Sequence, residues 1–460
     1  MPGHKRNMGG FPMEPFYDID ITEIDGFDNL HCPDGILRDV MERAGRLFGA
    51  ETYLLVNGST GGILSAVSAV VQRGERILMA RNSHKAAFHA MYINGCKIVY
   101  IYPQILEKYG ICGSVSPEEV KQKLAEYPDI GAVFLTTPTY DGVVSDVKAI
   151  VDAAHRQKIP VIVDAAHGAH FELDERFPEN AVRSGADIVI HSIHKTLPAL
   201  TQTALLHVQG TLVDRNRLWR FLTIYQTSSP SYILMAGIEQ CISILETQKT
   251  MLCNRFFSWN RTFEKRMERL GHLRLFSTEA KSYAGNKLFD FDTGKKIVFT
   301  EGTALSGRQL YELLLVKYGL QMEMAGQNYV TAIMTIMDRK EGFIRLGKAL
   351  SEIDEELSEN SVGPDTQSRN CEEHSVPAPA AVYDLHTAME KKHETVLLEE
   401  CEGRIAAEFI HIYPPGIPLI VPGEYFTDGM IRRLLSYREQ GFTIEGMREH
   451  DQKVCVIGRE

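Results

Sequence analysis

Six short apolar runs alternating with helical patterns constrain this chain more than any other feature. The runs are RILMA (76–80), KIVYIYP (97–103), AVFLTTPTY (132–140), PVIVDAAH (160–167), ADIVIHSI (186–193) and TALLHVQG (203–210). Between them, DVKAIVDAAHRQ sets Val147, Ile150, Val151 and Ala154 on one helical face. Upstream, GILRDVMERAGRLFG repeats apolar residues at helical spacing and stops on Gly49. Strand, helix, strand, helix is the pattern of an α/β fold with a mostly parallel sheet covered on both faces. In such sheets chemistry collects at the carboxyl ends of the strands. Here those ends carry Asp164 and His167, then Ser192, His194 and Lys195.

A chain of 460 residues is long enough for several cores. Residues 1–30 read as an ordered but irregular arm, and 31–260 as the large α/β domain. Helix predominates from Tyr232 to Leu270, within a smaller α+β region over 261–370, and 371–460 form a C-terminal segment. The polar, Pro-bearing stretch from Ser351 to Pro379 reads as a linker whose acidic run is a solvated helix end. A net charge of −11 without a long basic block argues against nucleic acid or anionic membrane as the main partner. Eight cysteines without a C-x-x-C pair read as reduced thiols of a cytoplasmic protein. The N-terminus has no apolar signal region, and no apolar stretch is long enough to span a bilayer.

Three constellations carry chemistry. NGSTGG (57–62) follows the apolar run TYLLV and opens a helical pattern, so its N–H groups suit a phosphate; an ordinary glycine turn fits as well. It lacks the Lys-Ser/Thr of a Walker loop. VDAAHGAH (163–170) ends an apolar run on Asp164, which either caps the next helix or holds a protonated cofactor ring nitrogen. A zinc reading through His167, His170, His191 and His194 is the weaker option, because HxxH is not the usual helical ligand spacing. HSIHKTLPALTQ (191–202) puts Lys195 directly after a buried run, where partial burial makes an amine nucleophilic toward carbonyls. A nucleophilic lysine, an upstream aspartate and a phosphate cup together describe a pyridoxal phosphate (PLP) site.

With these motifs in view, the chain resembles the PLP-dependent ornithine/lysine/arginine decarboxylases built on the aspartate-aminotransferase fold. The resemblance rests on PGHK (2–5), LHCPDGIL (30–37), NGSTGG, RNSHKA (81–86), PTYDG (138–142), VDAAHGAH, HSIHKTLPALTQ, TSSPSY (227–232) and YPPGIPLIVPGE (413–424). It implies PLP fold type I, with a PLP-binding large domain and a smaller α+β C-terminal region. It further implies that Lys195 binds the cofactor covalently and Asp164 pairs with its ring nitrogen. His84 would stack on one ring face and Ala166 on the other. Ser59, Thr60 and Gly61 would contact the phosphate, helped by Ser192, with His167 also in the cofactor set. His194 would support proton transfer or the leaving carboxylate. No metal is expected.

The implied reaction is decarboxylation of a small basic amino acid, arginine before lysine or ornithine, by a homodimer or higher homo-oligomer. Glu424 is the candidate partner for the substrate's distal cation, and an ordinary surface glutamate is the competing reading. Three departures stand out. Met1 directly precedes PGHK, where the family has a helical segment, so a truncated or misassigned start is one expectation. The receiver-like domain of the long enzymes is missing, so a short form is expected. Ala165 stands where many relatives have Glu.

Two other functions share these residues. An aminotransferase would need an arginine for the substrate carboxylate, and Arg345 is the candidate, although its pattern reads as a helix surface. A silent PLP-binding protein would not need Lys195, Asp164 and His84 all intact.

Overall fold

All six apolar runs form strands, and TYLLV supplies a seventh. The structure is a computed structural model that describes residues 14–276, 287–359, 381–412, 416–448 and 452–459. The strands are β1 (Glu51–Leu55), β2 (Arg76–Ala80), β3 (Lys97–Ile101), β4 (Ile130–Thr136), β5 (Val161–Asp164), β6 (Ile188–His191) and β7 (Ala204–Val208). They make one sheet in the order β1-β7-β6-β5-β4-β2-β3. Pairing is parallel from β6 through β5, β4 and β2 to β3, and β7 alone runs against its neighbours β6 and β1. Central strands such as VIVD and IVIH are buried throughout, as expected where helices cover both faces.

Helices α1 (Ile36–Phe48), α2 (Gly58–Val70), α3 (Lys85–Asn94) and α4 (Val147–His155) cover the sheet, and α5 (Tyr232–Met267) leads away from it. The face anticipated for α4 is buried, with Val147, Ile150, Val151 and Ala154 all inside. Gly49 ends α1 in the left-handed region, at φ 78. Asp28 caps the start of α1, its carboxylate accepting from the N–H groups of Gly35, Leu37 and Arg38. One reading needs correction: the arm contains a short helix, Glu14–Ile19. The cap of α3 is His84, whose Nδ1 accepts from Ala86 N at 3.1 Å, while Ser83 donates to the Ala80 carbonyl.

After α5 comes an antiparallel sheet of β8 (Arg274–Leu275), β9 (Lys295–Phe299), β10 (Met324–Ala325) and β11 (Tyr329–Ile333), in the order β8-β9-β11-β10. A helix over Lys340–Glu359 contains the acidic run read as a solvated helix end, and residues 360–380 lie outside the described residues. The C-terminal segment has its own core around Phe426, Met430, Leu434 and Val456, between two three-stranded sheets. Among the described residues, no helix is long and apolar enough to cross a membrane. PGHK (2–5) lies outside the described residues.

The C-terminal segment is bound to the large domain through the RNSHKA motif. Arg81, at the end of β2, reaches Glu424 Oε2 at 3.0 Å and Oε1 at 3.2 Å, and donates to the Pro418 carbonyl at 2.7 Å. Lys85 Nζ meets Glu445 at 3.1 Å, and its backbone N–H donates to the Gly416 carbonyl at 3.1 Å. Two motifs far apart in sequence thus form one joint.

Candidate functional site

The carboxyl ends of β5 and β6 open into a cavity. It is lined by Ser59, Asn82, His84, Asp164, His167 and Lys195, with Ala166, Pro138, Tyr140 and Ile417 among its other walls. Asp164 is the last residue of β5 and is 3% exposed. Its Oδ1 accepts from Ala166 N at 3.1 Å. Burial pushes its pKa up, opposed by the Lys195 cation and the Ala166 N–H. Lys195 sits in the helical turn Ile193–Thr196 after β6. Burial lowers its pKa, while Asp164 and Glu323 act in the opposite sense.

NGSTGG opens α2 beside this cavity. Asn57 stands at the cap position but sends its side chain to the Tyr225 carbonyl at 2.9 Å, so the first-turn N–H groups have no side-chain cap. Ser59 Oγ lies 2.6 Å from Ser192 Oγ, which brings two of the anticipated phosphate residues together. Thr60 is exposed and Gly61 is buried, and neither side lines the cavity, so a contact from these two would come from backbone. A Cβ on Gly62 would stand 2.6 Å from Leu55 Cδ1, so this glycine lets α2 settle onto β1. Gly58 N donates to the carbonyl of Gln202, which adopts φ 82, and Gln202 Nε2 donates to the Val56 carbonyl at 2.6 Å. The phosphate loop and the lysine loop are therefore tied together.

His84 borders the cavity as a neutral ring. Burial and the cations Lys195 and Lys85 bring its pKa down to about 4. Ala166 lines the same cavity. His194 does not. Its Nδ1 donates to the Thr203 carbonyl at 2.8 Å, and the ring is not among the residues that line the cavity. Glu424 needs correction. It is 2% exposed, paired with Arg81, and accepts from Val421 N at 2.8 Å. Held in that way it has no free face for a substrate cation.

The four histidines of the zinc reading have separate partners. His170 Nε2 meets Asp292 at 3.0 Å and His191 meets His207 at 3.0 Å. His167 lies between two lysines. Arg345, the aminotransferase candidate, is an exposed helix residue that donates to the Tyr318 carbonyl at 3.0 Å.

Sequence reading missed two charged groups at this site. Lys295, on β9, is fully buried, with Nζ 3.0 Å from His167 Nδ1. Glu323 accepts from the hydroxyl of Tyr140 at 2.5 Å. The available signal was KKIVF, two lysines opening an otherwise apolar strand.

A second, larger cavity adjoins the first and shares Asn82, Tyr140 and Ile417 with it. Asp141 is the one carboxylate among its lining residues and accepts from the Tyr329 hydroxyl at 3.2 Å. Burial pushes the Asp141 pKa up to about 6.

Residues 4–304 match the family model "Orn/Lys/Arg decarboxylase, major domain", and residues 366–449 match "Orn/Lys/Arg decarboxylase, C-terminal domain". An arginine decarboxylase of Bacillus subtilis is 31% identical over 468 residues, which cover 100% of this chain and 94% of that protein. The solved constitutive lysine decarboxylase of E. coli superposes with a TM-score of 0.84 at 21% identity, covering 100% of this chain and 79% of that one. A ureidoglycine–glyoxylate aminotransferase of Bacillus subtilis superposes more loosely, with a TM-score of 0.56 at 14% identity over 70% of this chain and 85% of its own.

Proposed function

The chain belongs to the Orn/Lys/Arg decarboxylase family, and from that premise we propose that it releases the α-carboxylate of arginine, using pyridoxal phosphate, to give carbon dioxide and the corresponding amine. Lysine and ornithine are the next substrates in order. The observation that carries this reading is the buried Asp164 carboxylate facing a cavity that also holds Lys195.

The residues fit the cofactor. A carboxylate this deep is costly without a cation, and a protonated ring nitrogen would supply one. The uncapped first turn of α2, with Ser59 and Ser192, suits a phosphate dianion. His84 and Ala166 border the space between them. Pyridoxal phosphate, when bound, supplies an electron sink for the pair left behind as the carboxylate departs.

The chain's own residues supply the rest. Lys195 would anchor the cofactor covalently. Asp164 would keep the ring nitrogen protonated. His84, a neutral ring at physiological pH, would pack on the ring without adding a competing charge. Asp141 takes the place first given to Glu424: it faces the adjoining cavity, where a guanidinium would find a carboxylate already desolvated. The active form is a homodimer or higher homo-oligomer.

An aminotransferase of this fold is disfavoured by Arg345, whose guanidinium is turned to helix-end carbonyls. The test is a product assay on arginine, lysine, ornithine and neutral amino acids, with borohydride trapping to locate the cofactor. Carbon dioxide release from arginine and label on Lys195 are expected, and Asp141→Asn should lower kcat/KM more for arginine than for neutral amino acids. Amino-group transfer without carbon dioxide release, or label on another lysine, would overturn the assignment.

A further inference from the structure

Lys295 is a buried lysine that the reaction as described does not use. Its Nζ lies 3.0 Å from Nδ1 of His167, while Nε2 of the same ring lies 3.1 Å from Nζ of Lys195. One imidazole therefore joins the two amines. Space for Lys295 is made by the glycine of PTYDG: Gly142 has φ +97, and a Cβ there would stand 2.6 Å from Lys295 Cγ. The Tyr140 ring packs edge-on to His167, with centroids 5.0 Å apart, and lies 5.2 Å from Lys295 Nζ.

Proton counting restricts this triad. A neutral imidazole has one N–H and one lone pair. If one nitrogen accepts from an ammonium, the other must donate, so the second amine must be neutral. Two ammonium groups would leave one of them facing an N–H. The triad thus holds at most one excess proton, and either lysine can carry it. Burial and the Lys195 cation favour the neutral form of Lys295, and bring its pKa to about 8 against the pull of Asp292, Glu323 and Asp141. Asp292 is itself bound by His170. The His167 ring stays neutral, its pKa held well down by burial and both lysines.

We propose that Lys295 is the proton-exchange partner of Lys195, passing one proton to and from it through the His167 ring. In the forward step an N–H bond of Lys195 breaks as one forms at His167 Nε2. The N–H at Nδ1 breaks as one forms at Lys295 Nζ. No electrons are lost or gained, and the imidazole ends as the other tautomer. Lys195 is left as a free amine without releasing its proton to solvent. Lys295 is a positioning residue in this scheme, acting on Lys195 through His167.

The inference rests on the cofactor assignment above, and the test separates the two. The full-length chain is stripped of cofactor, and pyridoxal phosphate is then added over a range of pH. Capture is quenched with borohydride and counted on the Lys195 peptide. In the unsubstituted chain the rate should be nearly flat across the range in which the triad holds one proton. In Lys295→Met the proton can reside only on Lys195. Capture at neutral pH should then fall about 10-fold or more and recover by about one decade per pH unit. His167→Phe, which keeps a ring beside Tyr140, should show the same slope, and the double variant should be no slower than the slower single one.

A folded Lys295→Met protein with the parental pH profile, or single effects that multiply in the double variant, would overturn the relay. If Lys295→Met does not fold, His167→Phe decides alone, and a parental profile there overturns it. Failure of the unsubstituted chain to capture the cofactor on Lys195 overturns the cofactor assignment, and the relay with it.

Discussion

Glu424→Gln separates a structural from a substrate-reading carboxylate. Glu424 and Arg81 are 2% and 10% exposed at their side chains, with contacts of 3.0 and 3.2 Å. The same carboxylate accepts from Val421 N at 2.8 Å. A Gln amide can accept with only one of its two terminal atoms, so its NH2 would face either the guanidinium or the Val421 N–H. Breaking a buried pair by neutralising one partner costs roughly 3–5 kcal/mol. Arg81 retains the Pro418 and Leu419 carbonyls, which favours the lower end. A loss of about 3 kcal/mol is a factor of roughly 150 in the equilibrium that holds the C-terminal segment in place. The assay pairs urea unfolding with steady-state kinetics on arginine, lysine and ornithine. The expected result is a lower unfolding midpoint, with kcat/KM reduced in equal proportion for all three substrates. Arg81→Met combined with Glu424→Leu should lose less stability than either single change. Unchanged stability with a selective loss for one substrate would refute this reasoning and return Glu424 to substrate recognition.

Two further outcomes are expected. Asp164→Asn should retain fold and cofactor capture but lose turnover by a factor of hundreds, since losing a buried charge partner is worth roughly 3–5 kcal/mol; near-parental kcat would reduce Asp164 to a helix cap. Lys295, with its pKa brought from 10.5 to about 8, binds fewer protons folded than unfolded between those values. Stability should therefore rise with pH through that window, by about 3 kcal/mol from this group, and a difference curve between the parent and Lys295→Met, from chemical denaturation, should show that slope.

The central sheet was legible because its strands are short apolar runs bounded by helix and turn signals, and burial on both faces leaves that mark locally. The carboxyl-end residues Asp164 and Lys195 followed from strand position alone. What escaped was set by distant packing. Lys295 and Lys296 are consecutive on a strand, so they point to opposite faces. One meets His167 and the other meets Glu264 at 2.8 Å, and both are fully buried. A lysine pair in sequence reads as solvent-facing charge, because the groups that neutralise it lie far off in the chain. Glu424 was misjudged for the same reason: nothing near YPPGIPLIVPGE indicates that Arg81, 343 residues earlier, is its partner.

The Arg81–Glu424 joint also bears on the order in which the molecule is made. Synthesis delivers Arg81 early and Glu424 near the end, so a growing chain carries a bare guanidinium at the rim of its future pocket for most of its time on the ribosome. Ile417, one wall of that pocket, arrives at the same late stage. Chains that stop short would keep the lysine and the aspartate but lack that wall and the joint that holds it. Closure of the pocket is thus a late event in biogenesis, because it needs a chain translated at least through Glu424.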